Sequence, residues 1–175
     1  MPYAITLQMN VEASSKIQDL YELLADKGIS NDQKNLGYPP HITLAVVDDI
    51  EQSHAKDVLE KLAQKWRAFP IQLTEIGNFH GIPATIFIHV AKAPLLHTYQ
   101  SLLCHQIPTQ SLNPHYKADQ WIPHLTLAKD ILDQDALKEA TQSVRAVWKP
   151  LNATLNDMAL IYFRPVQILW QASLR

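Results

Sequence analysis

Tyr38-Pro39-Pro40-His41-Ile42-Thr43-Leu44-Ala45 returns as Trp121-Ile122-Pro123-His124-Leu125-Thr126-Leu127-Ala128, displaced by the 83 positions that separate His41 from His124. Five of the eight positions are identical and the leading aromatics coincide. One octapeptide could match another by chance in a chain of 175 residues. The surroundings argue against chance: the same offset carries Tyr3 onto Ile86 and Ile71 onto Thr154, strand onto strand, and each octapeptide lies between an upstream and a downstream helical pattern. The sequence therefore predicts an internal duplication, with repeats at about 1–83 and 84–166 and a final strand at 166–174. Both repeats belong to a single domain, 1–175, folded as two lobes about a pseudo-two-fold axis.

Tyr3 to Met9 alternates apolar and polar residues with the two-residue period of a half-buried strand. Ile17, Leu20, Tyr21 and Leu24 follow at helical spacing, and Gly28 offers a left-handed stop. Gly37 to Pro40 makes an extended approach to strand His41 to Val47. Ala55, Val58, Leu59, Leu62 and Trp66 mark the inner face of a second helix, and Phe69 to Phe79 reads as strand. The order then repeats: strand Ala84 to Val90, a helix opened by Pro94 with Leu95, Tyr99 and Leu102 inward, and a loop Gln106 to Gln120. Strand Trp121 to Lys129 comes next, then a helix capped by Asp133 with an apolar stripe of Leu137, Ala140, Val144 and Val147. Leu151 to Phe163 and Val166 to Leu174 supply the closing strands.

Composition narrows the function. Fifteen Lys and Arg against seventeen Asp and Glu leave a formal charge of −2, which gives no basic surface to hold a long polyanion. Any contact with nucleic acid should be local, at an end or a nucleotide. The single cysteine, Cys104, excludes an internal disulfide and a multi-cysteine zinc site. Four unclustered glycines provide no phosphate-cradling loop. The amino terminus lacks the basic and apolar regions of a leader, and no apolar run approaches the roughly 20 residues that span a bilayer. A monomer in the cytoplasm, with no membrane association, is expected.

Alternate side chains of a strand share a face, so His41 and Thr43 project together while Ile42 and Leu44 anchor the opposite layer; His124 and Thr126 do the same. Two such strands facing across a cleft would present two imidazoles and two hydroxyls to one small anion. A neutral imidazole can take a proton from water and a protonated one can give a proton to a departing oxygen. Threonine hydroxyls can donate to non-bridging phosphate oxygens. This chemistry requires no metal and no cofactor. A lone His-x-Thr on a strand is ordinarily only a polar edge, but two matched copies at equivalent positions are difficult to explain as packing.

The pair Pro40-His41-Ile42-Thr43-Leu44 and Pro123-His124-Leu125-Thr126-Leu127 resembles the twin signatures of the 2H phosphoesterase superfamily, in particular its 2'-5' RNA ligase-like branch. The resemblance spans nearly the whole chain in element order, but its specific motifs are these two pentapeptides. It implies a bilobed α+β fold with a mostly antiparallel sheet in each lobe, helices on the outer faces and a central cleft. It also implies hydrolysis of 2',3'-cyclic phosphates on RNA 3' ends or small cyclic nucleotides, with reversible 2'-5' joining of RNA in some members. Carried across, His41 and His124 become the catalytic pair and Thr43 and Thr126 the phosphate-holding pair. His124 is assigned as base and His41 as acid, although the near symmetry gives no internal reason to choose. Where many relatives carry arginine after the second motif strand, this chain has Lys129-Asp130. Lysine keeps the charge but loses the two-pronged donor geometry, and alternation puts Lys129 on the face of Leu125 and Leu127.

Five further residues are candidate substrate contacts: Tyr38, Trp121, His80, Lys129 and Arg164. Tyr38 and Trp121 could stack on a base, although parity puts them opposite the catalytic face and favours packing. His80 follows Phe79 in a turn that could rim the cleft, and Arg164 sits at a turn between strands. His54, His97, His105 and His115 show no metal-ligand spacing. His89 ends a strand in alternation with Phe87 and Thr85, for which a polar edge suffices as explanation. Two rivals to the enzyme remain: a noncatalytic module that grips RNA ends or cyclic nucleotides, and a metal-dependent hydrolase, against which the lack of carboxylates beside either motif speaks.

Overall fold

The computed structural model describes residues 2–48, 50–91, 93–163 and 165–175. In chain order the elements are β1 (Tyr3–Met9), α1 (Val11–Asp26), α2 (Asp32–Asn35), β2 (His41–Val47), α3 (Gln52–Ala63) and β3 (Phe69–Phe79). There follow β4 (Ala84–Val90), α4 (Pro94–His105), β5 (His124–Ile131), α5 (Gln134–Val147), β6 (Leu151–Tyr162) and β7 (Gln167–Ser173). Two short 3-10 turns, Thr109–Ser111 and Pro114–Tyr116, break the long loop before β5.

The strands form one seven-stranded sheet in the order β2-β1-β6-β3-β4-β5, with β7 also paired to β6, and all its named pairings are antiparallel. Exchanging each of β1, β2 and β3 for β4, β5 and β6 turns that order into its own reverse. The central ladder obeys the same exchange: Phe69 pairs with Leu155, and Gln72, the residue 83 before Leu155, pairs with Asn152, the residue 83 after Phe69. The last strand of each half thus crosses into the other half, β3 against β4 and β6 against β1. That exchange joins the two expected sheets into one.

Apolar residues of one sheet face pack under the helices in a single core. Ile5 and Leu7 of β1, Ile42 and Leu44 of β2, Ile86 and Ile88 of β4 and Leu125 and Leu127 of β5 meet Ile17, Leu20 and Leu24 of α1, Leu59 of α3 and Val144 of α5 there. The helix stripes differ in detail from those predicted. In α4, Tyr99 is buried as expected, but Leu95 and Leu102 are exposed and the leucines one position further on, Leu96 and Leu103, are buried instead. Gln100 on the same side donates to the carbonyls of Leu44 and Tyr116, so a polar residue takes part in the packing. Val147 at the end of α5 is also exposed, and Trp66 lies buried past the end of α3 rather than on it. β5 begins at His124, because Pro123 has no N–H to give a ladder.

Leu155 is fully buried and pairs with both Met9 and Phe69, at the meeting of three strands. Leu155→Ala should cost about 2–5 kcal/mol of stability, read as a lower urea midpoint with unchanged slope; a loss below about 0.5 kcal/mol would show that β6 does not join the halves energetically.

Candidate active site

His41 and His124 each open a motif strand, and each is fixed in the same way. The Nδ1 of His41 lies 2.8 Å from the carbonyl of Pro39, and the Nδ1 of His124 lies 2.7 Å from that of Ile122. A carbonyl only accepts, so Nδ1 carries the proton of the neutral ring and Nε2 is left unprotonated. The residue two before the histidine can offer its carbonyl because Pro40 and Pro123 hold the chain extended ahead of each strand.

Both motif strands then bulge at the same place. Thr6 pairs with Thr43 but Ile5 with Ala45, which leaves Leu44 extra; Phe87 pairs with Thr126 but Ile86 with Ala128, which leaves Leu127 extra. A bulge inserts one residue and reverses the alternation beyond it. The exposure shows this: from each histidine the strand runs half-buried, buried, half-buried, buried, buried, half-buried. The sixth residue therefore returns to the cleft face. In β5 that residue is Lys129, so its expected position with Leu125 and Leu127 is corrected: simple alternation fails at the bulge, and the ammonium charge is felt at His41.

The half-buried motif strands β2 and β5, at opposite ends of the sheet order, come into contact with each other. The threonine carbonyls at the bulges are bound from the other half of the chain. Trp121 Nε1 donates to Thr43 O at 3.1 Å, and the Tyr21 hydroxyl donates to Thr126 O at 3.2 Å. Asp32 Oδ2 accepts from the Lys129 amide at 3.2 Å. These bonds and the contact between β2 and β5 bring the two motif strands together, close enough that the charge of His124 is felt at His41. His41 is held below the usual imidazole range mainly by burial, against the opposing bond to Pro39, with the charges of His124 and Lys129 adding to the lowering. His124 is lowered mainly by burial, against its bond to Ile122, with His89 adding to it.

Tyr38 and Trp121 are both buried, at 6% and 5% exposure, so neither presents a ring face for a base. Tyr38 lies on the cleft side, a departure from parity, because the ladder that sustains alternation starts only at His41. Its ring stands edge-on to His41 with centroids 5.0 Å apart, and its hydroxyl accepts from Gln8 Nε2 at 2.7 Å and bonds Thr6 Oγ1 at 2.8 Å. His80 is exposed just past Phe79, whose ring is 4.9 Å from and edge-on to His124. Arg164 lies outside the described residues.

Three further side chains border the two motif strands. Tyr116, in the Pro-rich loop, brings its phenol to the Thr43 side chain; the loop has no period from which this could be read. Phe79 and Phe87 stack at 4.3 Å and wall the His124 side. Phe87 shares strand parity with His89, which is a usable signal. Among the described residues no group of three His, Cys, Asp or Glu could hold a metal ion, and no helix is long and apolar enough to cross a membrane.

Two imidazoles anchored alike through Nδ1 and two threonines thus lie on equivalent strands that contact each other. A family model described as the 2'-5' RNA ligase superfamily matches residues 10–166, and the chain belongs to that superfamily. Membership supports RNA-related phosphoester chemistry as the class of its activity. No curated protein matches the sequence. Among solved structures the chain is similar to TT0787 of Thermus thermophilus, at 16% identity over 100% of this chain and 98% of that one, with TM-score 0.69. It is also similar to E. coli LigT complexed with 3'-AMP, at 15% identity over 99% of each chain and TM-score 0.60. Kluyveromyces marxianus Usb1 follows at 10% identity over 96% of this chain and 97% of that one, with TM-score 0.51. At such identities the likeness speaks for the fold.

Both histidines have folded pKa values below 6.5, so as the pH falls beneath that value the unfolded chain takes up protons before the folded one does. The stability these neutral rings contribute is present above 6.5 and is lost as the pH drops through the folded values. The urea midpoint should therefore be lower at about pH 5 than at about pH 7.5, and the gap should narrow in the His41→Gln, His124→Gln double variant; an equal gap in both proteins would refute the assignment.

Proposed function

We propose that this protein is a cyclic phosphodiesterase, which hydrolyses 2',3'-cyclic phosphates at RNA 3' ends or on small nucleotides and needs no metal. The observation that carries the reading is the matched delivery of two Nδ1-anchored imidazoles and two threonines to one cleft. His124 takes a proton from the attacking water and His41 gives one to the departing ribose oxygen. Thr43 and Thr126 donate to the non-bridging oxygens, and Lys129, turned into the cleft by its bulge, supplies positive charge to the same anion. Lys129 beside His41 opposes protonation of that ring, so the acid role requires bound phosphate, whose negative charge favours the imidazolium. Joining of RNA ends uses the same groups with a 5'-hydroxyl in place of water: His124 takes its proton, His41 protonates the departing 3' oxygen and a 2'-5' linkage results, and attack of that 3' hydroxyl in the reverse step restores the cyclic phosphate. The protein acts as a cytoplasmic monomer. We infer also that segments 1–83 and 84–166 descend from one duplicated unit, a reading supported by the exchange symmetry of the strand order and of the β3–β6 register.

A noncatalytic grip on RNA ends is the second reading. It needs donors and cations, but it gives no reason for two rings with their tautomers fixed alike and held neutral by burial.

The test is turnover of 2',3'-cyclic AMP and of a short RNA ending in a cyclic phosphate, with EDTA present. His41→Asn and His124→Asn should each lose about 10²- to 10⁴-fold in kcat, or roughly 3–5 kcal/mol of barrier, and Thr43→Ala less. In the same assay kcat/KM should be bell-shaped, with its maximum on the acid side of about pH 7, because both free-enzyme imidazoles titrate below 6.5. Binding without turnover would favour the second reading, and abolition of turnover by EDTA would require a metal.

A further inference from the structure

Phe87 of β4 touches two imidazoles. Its ring centroid is 5.3 Å from that of His124 and 4.8 Å from that of His89. His89 is the ladder partner of His124, and directly paired residues of antiparallel strands present their side chains on one face. The third imidazole therefore stands on the cleft face, half-buried, where a polar edge residue would have sufficed.

Gly77 of β3 makes room for it. A Cβ at Gly77 would lie 2.5 Å from His89 Nε2 and 3.1 Å from Phe87 Cζ. Glycine inside a strand weakens it and packs nothing, and the backbone here is not in a conformation that demands glycine. What the missing side chain provides is space, filled by the His89 ring. The ring is thus held by a floor and a wall, while the hydrogen bond it receives from Thr74 goes to its backbone carbonyl and leaves the imidazole nitrogens without a partner among the described residues. The neighbouring aromatics are engaged with each other, Phe79 stacked on Phe87, so the polar group this wall offers a ligand is the His89 imidazole.

We propose that His89 is a substrate-positioning residue, hydrogen-bonding the phosphodiester on the 5' side of the terminal nucleotide, so that the cleft grips an RNA end and not only its cyclic phosphate. The inference rests on the cyclic phosphodiesterase reading and deepens it by naming the substrate class. Because Phe87 packs against both rings, His89 flanks the His41–His124 cleft instead of closing on it, and the anionic group next along an RNA chain is the adjoining phosphodiester. An imidazole N–H donates in either charge state, and contacts to phosphate fix register without reading sequence.

The test compares 2',3'-cyclic AMP, which has no 5' phosphodiester, with a trinucleotide ending in a cyclic phosphate. His89→Ala should raise KM for the trinucleotide about ten-fold more than KM for 2',3'-cyclic AMP, with kcat changing little between the two substrates. His89→Gln, which keeps a donor, should recover part of the loss. Gly77→Ala, by pushing the ring aside, should reproduce the selective effect, and the Gly77→Ala, His89→Ala double variant should lose no more than His89→Ala alone. Affinity for a trinucleotide 3'-phosphate against a nucleoside 3'-monophosphate, measured by competition with a fluorescent oligonucleotide, gives the same comparison without turnover. If the wild type turns over neither substrate, the proposed reaction fails while this binding comparison still decides the role of His89. Equal losses on long and short ligands, or additive effects of the two substitutions, would overturn the proposal.

Discussion

The two motif strands meet because each is tied to the half of the chain that does not contain it. Bulges take the carbonyls of Thr43 and Thr126 out of regular pairing, and Trp121 and Tyr21 supply the missing donors from across the molecule. Gln100 does the same for Leu44, and Asp32 for the amide of Lys129. A buried backbone group without a partner costs about as much as a lost hydrogen bond, so every bulged strand demands a partner, and in this fold the partner is the other half. The sheet supports these ties from behind: β3 and β6 cross over at its centre, so that its terminal strands β2 and β5 can meet. Sheet crossover and reciprocal side-chain bonds together set the distance between the two histidines.

The same bulges shape the chemistry. One extra residue per strand lets His, Thr and the sixth residue share the cleft face while four apolar neighbours remain in the core. In β2 the sixth residue is Val46 and in β5 it is Lys129, so the symmetric frame carries an asymmetric charge. The surroundings of the two rings differ too: Tyr38 and Lys129 attend His41, whereas Phe79, Phe87 and His89 attend His124. Two imidazoles that are alike in tautomer thus differ in what they face. The acid and base roles proposed for the pair need such a difference, which the repeated pentapeptides alone do not provide.

Local signals make most of the frame legible. Alternation and helical spacing identify the strands and long helices, and the octapeptide repeat singles out the two strands that contact each other, because both kinds of information are carried by neighbours in sequence. What cannot be read there depends on long-range backbone geometry. Alternation puts Lys129 on the wrong face because a bulge has no signature in residues 124–129 beyond the two consecutive buried positions it creates. Tyr38 is misplaced for a related reason, since parity does not extend through two prolines that end the ladder. The leucines of α4 turn inward at 96 and 103 rather than 95 and 102, with Tyr99 kept, because Gln100, a polar residue, is drawn inward by carbonyls at Leu44 and Tyr116 that sequence spacing does not reveal. His89 and Gly77 are both visible as letters, but their contact joins neighbouring strands and emerges only in the fold.

The central claim is that two rings 83 residues apart in sequence meet on one phosphate. The most direct measurement is an NMR titration of the histidine ring signals, assigned by single substitutions, as a nucleoside 3'-monophosphate is added across a range of pH. The account predicts that one equivalent shifts the His41 and His124 resonances together and raises the pKa of both rings, as a shared anion must. Ligand binding that moves only one of them, or leaves both pKa values where they stand in the free protein, would contradict it.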